Sequence, residues 1–264
     1  MSKKMNEWKK SVKILAIGNS FSVDAMEYLW HILKDGGVEN ITLGNLYIGG
    51  CSLERHASNI AADADAYAYY KNTAGSWVAE ANVSVRRALT EEKWDIVTVQ
   101  QASPYSGMPS SYSYLDSILR YVETNAPDAE IYWHMTWAYQ QDSTHTGFAN
   151  YKGDQTTMYN AILQAVASEV KTKEAIRGVI PAGTAIQNLR SSYIGDTITR
   201  DGYHLSLDYG RYTAALTWFA YFTGKSPDEI EWIPADHPIL KNHLPAIRAA
   251  VKGAIANPAK VTIA

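Results

Sequence analysis

Short apolar runs rich in β-branched residues alternate along the chain with longer stretches whose apolar positions recur at helical spacing. The short runs cover 12–17, 41–48, 95–101, 130–136 and 176–181. Helical spacing covers 22–35, 52–70, 78–92, 112–125, 151–173, 208–223 and 240–256. Continuous apolar runs suit strands covered on both faces, and strands alternating with helices suit parallel pairing through crossovers. Gly36-Gly37 closes the first helix, and Asn125-Ala126-Pro127-Asp128 parts a helix from the next strand. The pattern predicts an α/β protein, a three-layer α/β/α sandwich around a central parallel sheet of about five strands. No internal repeat, low-complexity tract or Pro/Gly-rich linker interrupts it. One domain is therefore expected over 1–264, with an N-terminal extension at 1–11, a core at about 12–223 and a C-terminal helical segment at about 224–264.

Composition removes several classes of function. Apolar residues make up 46% of the 264 and charged residues 19%, which excludes a disordered tail or linker. A net charge of −3 leaves no electrostatic footprint for nucleic acid or an anionic membrane, so neither is expected as a partner. The single cysteine, Cys51, excludes an internal disulfide and a Cys-based zinc cluster. The start is basic, but the apolar run at 14–17 is too short for a signal peptide and reads better as the first strand. A cytoplasmic location is expected, although a chain already relieved of its signal peptide would look the same. The unusual number is 18 Tyr and 8 Trp against 4 Phe, a strong preference for aromatics with a polar tip.

In open sheets of this kind, ligands bind beyond the carboxyl ends of the strands. Gly18-Asn19-Ser20-Phe21-Ser22 follows the first strand and opens a helix. A serine there suits either a nucleophile whose attack creates an oxyanion or the cradle of a phosphate, and the plainer alternative is a helix cap at Ser22. Gly49-Gly50 follows the second strand, where glycine lets a ligand approach the backbone or simply makes a turn. Gln100-Gln101 leaves the third strand, and one amide could aim into the site or tie down the loop that follows. Far downstream, Asp201-Gly202-Tyr203-His204 can hold a histidine by its Nδ1 and leave Nε2 free to take a proton. His134 lies in the fourth strand; His31, His56 and His145 default to structural or solvated roles, and the spacing of His237 and His243 does not suit metal ligands.

Taken together, these segments resemble the SGNH (GDSL-like) hydrolases. Gly18-Asn19-Ser20-Phe21-Ser22 looks like that superfamily's first block, Gly50 stands at its second-block glycine, and Asp201-Gly202-Tyr203-His204 matches its last block. The likeness runs from residue 12 to about 223. One block departs from it: where the family has Gly-x-Asn-Asp, this chain has Gln100-Gln101-Ala102-Ser103, as in a bacterial branch of the superfamily that carries Gln-Gln. The resemblance implies a flavodoxin-like SGNH hydrolase fold. It implies a Ser20–His204–Asp201 triad, with the N–H groups of Ser20 and Gly50 and the amide of Gln101 (or, one residue back, Gln100) as the oxyanion hole. No metal or cofactor is implied. Loss of an oxyanion donor costs ~100–1,000-fold in rate in comparable sites.

The expected activity is hydrolysis of small acyl esters, acetyl first, with a small molecule or a glycan as the ester partner. The carbohydrate preference rests on the Tyr, Trp, Gln, Ser and Asn near the motifs, from which Trp137, Tyr139 and Tyr203 are expected to line the substrate. Another short-chain esterase, a lipase or a thioesterase could use the same triad. From other classes come a flavodoxin-like FMN-binding protein and an inactive glycan-binding module. The sequence leaves the oligomeric state open.

Overall fold

The computed structural model describes residues 10–263, so the expected extension at 1–11 lies outside the described residues apart from Lys10 and Ser11. In chain order the elements are β1 (Ser11–Gly18), α1 (Ser20–Met26), α2 (Leu29–Asp35), β2 (Asn40–Tyr47), α3 (Leu53–Ala61), β3 (Tyr67–Asn72), β4 (Val78–Val83) and α4 (Val85–Glu91). Then follow β5 (Ile96–Val99), α5 (Leu115–Asn125), β6 (Glu130–His134), α6 (Gln155–Ala165), β7 (Ile176–Ile180), α7 (Ala182–Arg190), α8 (Tyr209–Thr223) and α9 (Leu240–Ala256). The sheet runs β4-β3-β2-β1-β5-β6-β7. Its five strands from β2 to β7 are parallel, each overlapping a predicted run. Counting only those five, the order is that of a flavodoxin-like sheet, with its switch point between β1 and β5. Helices α1, α2, α7, α8 and α9 pack against one another, and α3, α4 and α5 form a second group.

Two strands correct the expected five. The stretches at 52–70 and 78–92 each begin or end as helix but also supply β3 and β4, which extend the sheet antiparallel beyond β2. In β3 the inward Tyr67 and Tyr69 are buried and alternate with half-buried neighbours, a period of two set against helical flanks. β4 is exposed along nearly its whole length, so its sequence carries no apolar face; its strand state comes from pairing with β3. The predicted first helix at 22–35 is also two helices, and α1 begins at Ser20 with Asn19 as its cap. No described helix is long and apolar enough to cross a membrane.

The surplus of Tyr and Trp is largely explained by packing. Trp94, Trp133, Trp137, Trp218, Tyr67, Tyr139 and Tyr212 are fully buried. Several spend their polar tip on backbone carbonyls: Trp94 Nε1 donates to Ala88 O at 2.8 Å and Tyr212 Oη to Trp232 O at 2.7 Å. A buried ring with its one polar atom satisfied keeps its apolar benefit without the desolvation penalty.

Two histidines are less completely satisfied. His56 shares Nδ1 with Tyr67 Oη and His134 shares Nδ1 with Gln100 Oε1, both at 2.8 Å, while each Nε2 is buried without a partner. Burial holds both imidazoles neutral, with pKa values pushed down to about 3. Below pH ~6.5 the unfolded chain takes up protons that the folded one refuses, so stability falls with pH by ~1.4 kcal/mol per unit for each histidine. Urea unfolding at pH 7 and pH 5 should show that loss, and His56→Leu should remove about half of it. An unfolding free energy that stays flat over this interval would contradict the neutral assignment.

Candidate active site

β1 ends in Gly18, and the turn into α1 leaves no room for a side chain there. A Cβ on Gly18 would lie 2.2 Å from Ser22 Oγ. Asn19 caps the helix by accepting the Phe21 N–H at 3.0 Å, and Ser22 Oγ donates to Asn19 O at 2.8 Å. Ser22 therefore braces the turn and does not cap it. Ser20 is the first helical residue and is half-buried, and its N–H finds no acceptor among the described residues. Gly50 sits in the tight turn after β2, closed by Cys51 N–H on Ile48 O at 3.2 Å. Its φ of 61° is left-handed, which favours glycine, and its N–H is likewise unclaimed among the described residues.

The loop before α8 brings the Asp-x-x-His segment to Ser20. Asp201 Oδ1 accepts the backbone N–H groups of Tyr203 at 3.2 Å and His204 at 2.8 Å. Its Oδ2 lies 2.6 Å from His204 Nδ1, and His204 Nε2 lies 2.8 Å from Ser20 Oγ. Burial pushes the Asp201 carboxyl up, but the bonds from the His204 ring and from the two N–H groups outweigh it and hold the pKa below the usual carboxylate range. An ionised carboxylate only accepts, so the imidazole donates from Nδ1 and keeps Nε2 as an acceptor for the serine hydroxyl. This arrangement can take the proton of Ser20 as its oxygen attacks an electrophile, with two unclaimed N–H groups nearby for the negative charge that develops.

Both glutamines expected as oxyanion donors, Gln101 and Gln100, are engaged in other hydrogen bonds. Gln101 Nε2 donates to Ser111 O at 2.9 Å and to Ser111 Oγ at 3.0 Å, and its Oε1 accepts Leu53 N–H at 3.0 Å and Ala102 N–H at 2.8 Å. Both amide hydrogens are thus used in holding a loop. Gln100 Nε2 donates to Asn19 Oδ1 at 2.8 Å while its Oε1 faces His134 Nδ1. Asn19 Nδ2 in turn donates to Cys51 O at 3.2 Å. A buried polar chain from His134 through Gln100 and Asn19 to Cys51 therefore runs beneath the serine and ties its turn to the turn that carries Gly50.

Two of the three aromatics expected to line the substrate do not reach it. Trp137 and Tyr139 are fully buried. Trp137 stacks on Phe21 with centroids 4.3 Å apart and donates Nε1 to Tyr203 O at 2.8 Å, so it supports the turn and the loop from within. Tyr139 Oη shares a bond of 2.8 Å with Ser103 Oγ. Tyr203 is half-buried at the rim, its ring 4.2 Å from that of His204 and 4.7 Å from that of His145. Burial pushes the His145 pKa down.

One important group had no sequence signal beyond a charge inside a helical pattern. Asp24, one turn beyond Ser20, is inaccessible to solvent. Its carboxylate takes Arg200 Nη1 at 3.0 Å, Arg211 Nε at 2.8 Å and the Leu205 N–H at 2.9 Å. It therefore pins the residue after His204 to the helix that begins with Ser20. Among the described residues no three His, Cys, Asp or Glu side chains cluster as metal ligands.

The model of the family described as a domain of unknown function (DUF4886) matches residues 13–237. A DUF4886 family protein from Bacteroides uniformis is 44% identical, with a TM-score of 0.90 over 96% of this chain and 97% of its own. A Streptococcus pneumonia protein provisionally assigned as a platelet activating factor has a TM-score of 0.52 at 16% identity, over 84% of this chain and 92% of its own. A Parabacteroides merdae protein provisionally assigned as a GDSL-like lipase has 0.51 at 11% identity, over 82% and 97%. These last two share the fold. No curated protein matches the chain.

Asp24→Ala leaves Arg200, Arg211 and the Leu205 N–H facing an empty buried site, and should cost ~3–5 kcal/mol of stability in urea unfolding. Ser20 should also react more slowly with a fluorophosphonate, because the loop carrying His204 is no longer pinned. A variant with native stability and native labelling would remove Asp24 from this role.

Proposed function

We propose that this chain, which belongs to the DUF4886 family, is a serine esterase that removes small acyl groups, acetyl first, from carbohydrate through an acyl-enzyme. One observation carries the reading: His204 stands between Asp201 and Ser20 at 2.6 and 2.8 Å, with the tautomer fixed by the carboxylate. The fold shared with a GDSL-like lipase supports it. The N–H groups of Ser20 and Gly50, which no acceptor claims among the described residues, support it as well, since this reading needs free donors for the charge that develops on an ester's carbonyl oxygen.

In this mechanism Ser20 Oγ adds to the ester carbonyl carbon while His204 Nε2 takes the hydroxyl proton. Asp201 stabilises the imidazolium that forms, and the two N–H groups hold the oxyanion. Collapse breaks the bond to the alcohol oxygen, which leaves with the proton from His204, and the acyl group stays on Ser20. Water then adds to the acyl carbon with His204 again as base, which frees the acid and restores the serine. The oxyanion hole has two backbone donors in this scheme; Gln101 contributes by holding a loop.

Ser20→Ala and His204→Ala should each reduce turnover of 4-nitrophenyl acetate by at least ~1,000-fold, with Ser20→Ala keeping the native fold by circular dichroism. Retention of most activity by Ser20→Ala would falsify the nucleophile assignment. Because both Gln101 amide hydrogens are spent on Ser111, Gln101→Ala should lose less than ~10-fold on this small ester, well short of the ~100–1,000-fold loss of a true oxyanion donor. Acyl-length profiling checks the acetyl preference: butyryl or octanoyl esters turned over faster than acetyl would move the reading to a longer-chain esterase.

A further inference from the structure

Beside the Gly50 turn, on the far side of Gln101, a groove of about 320 Å³ lies between the N-terminus of α3 and the loop after β5. Its walls carry Ser52, Glu54, Tyr105, Ser110, Ser113 and Tyr114. Nothing in the mechanism uses it. Tyr105 and Tyr114 keep 42% and 41% of their surface exposed, and the other exposed tyrosine among the described residues, Tyr193, lies elsewhere. Tyr114 Oη donates to Glu54 Oε1 over a long 3.5 Å, which puts the carboxylate on the wall beside the ring. No Lys or Arg is among its described lining residues.

The groove is braced where it meets the candidate active site. Gln101 lies in its lining and, through its Oε1 on Leu53 N–H and its Nε2 on Ser111, joins one wall to the other. Ser111 Oγ donates onward to Met108 O at 2.7 Å, which stiffens the loop carrying Tyr105 and Ser110. Ser52 is two residues beyond Gly50, so their Cα atoms are at most about 7.6 Å apart. A group in the groove is therefore about one sugar unit away from an acyl carbonyl held at Gly50.

We propose that this groove is a subsite for a neutral oligosaccharide, holding a sugar unit next to the one whose acyl ester lies at Ser20. The proposal rests on the esterase reading and narrows its carbohydrate substrate to neutral oligosaccharides. Half-exposed tyrosine rings offer apolar faces to the C–H face of a pyranose at low entropic cost. Serine hydroxyls and the Glu54 carboxylate accept and exchange hydrogen bonds with sugar hydroxyls. With Glu54 as the charge on the lining and no cation to offset it, uronic acids and phosphorylated sugars are disfavoured. The amide that a conventional oxyanion hole would use thus builds the adjoining subsite.

The test compares kcat/KM for O-acetylated neutral oligosaccharides (xylo-, manno- and cello-) with that for 4-nitrophenyl acetate, in the native protein and in Tyr105→Ala, Tyr114→Ala and Glu54→Gln. The ratio should fall about tenfold in each tyrosine variant, through KM for the oligosaccharide. Acetylated oligogalacturonides should be poor substrates and should improve in Glu54→Gln. Calorimetric titration of Ser20→Ala with the unacetylated neutral oligosaccharides should show binding that Tyr114→Ala weakens. Ester turnover with a ratio indifferent to all three substitutions, or no binding of any neutral oligosaccharide, overturns the subsite and leaves the esterase standing. Tyrosine-dependent sugar binding in a native protein that hydrolyses no ester overturns the esterase and keeps the subsite.

Discussion

Ser20 and His204 are 184 residues apart in the chain, and a solvent-inaccessible carboxylate does much to hold them within hydrogen-bond distance. Asp24 projects from the helix that Ser20 begins and is met by two guanidinium groups and by the N–H of the residue following His204. A buried charge is tolerated only when it is paired and its lone pairs are filled, and here the pairing partners all come from the segment that must be placed. The cost of burying the carboxylate is offset by bonds that only the assembled site can make. Loosening the loop would unpair the charge, so the fold resists the small displacement that would separate Nε2 from Oγ.

A second polar constraint works beneath the serine. Asn19 cannot both cap α1 and bind Cys51 O unless its amide orientation is fixed, and Gln100 fixes it by donating to Asn19 Oδ1. Gln100 is in turn oriented by His134, which burial keeps neutral and therefore able to present a single ring N–H. The chain passes from β6 through β5 and the β1 turn to the β2 turn, so neighbouring strand ends across the switch point are linked by side chains as well as by the sheet. That linkage explains why a pair of glutamines can stand where the resemblance leads one to expect an asparagine at the oxyanion. One of them holds the turn that carries Ser20, and the other holds the loop beyond it.

The five parallel strands were legible because each is a short apolar, β-branched run bounded by turn signals, although only the central β1 and β5 are buried almost throughout and the edge strand β7 is mostly half-buried. β3 and β4 were not, for different reasons. β3 places two tyrosines inward and further half-buried residues beside them, so its period of two is blurred by aromatic content on both faces. β4 is an exposed edge with Asn82 in the left-handed region, and nothing in its residues demands a strand until β3 is there to pair with it. The aromatics beside the site were misjudged in the same way. Trp137 and Tyr139 follow β6 and so belong to the catalytic edge by sequence position, but the long segment through Phe148 and the loop of Tyr203 close over them.

The parallel sheet, its crossovers and the segments that meet at the carboxyl edge are written in apolar periodicity and short turn motifs, which are local properties of the chain. The sequence also carried Ser20, Gly50, Asp201 and His204 as candidates, since their segments, ambiguous singly, resemble the SGNH blocks when taken in order. Which polar side chains are free and which are spent emerges only when distant segments pack together. Gln101, Gln100, Trp137 and Asp24 each carry a group that could face a ligand or a neighbour. That choice depends on partners tens of residues away in the chain, and no local pattern encodes it.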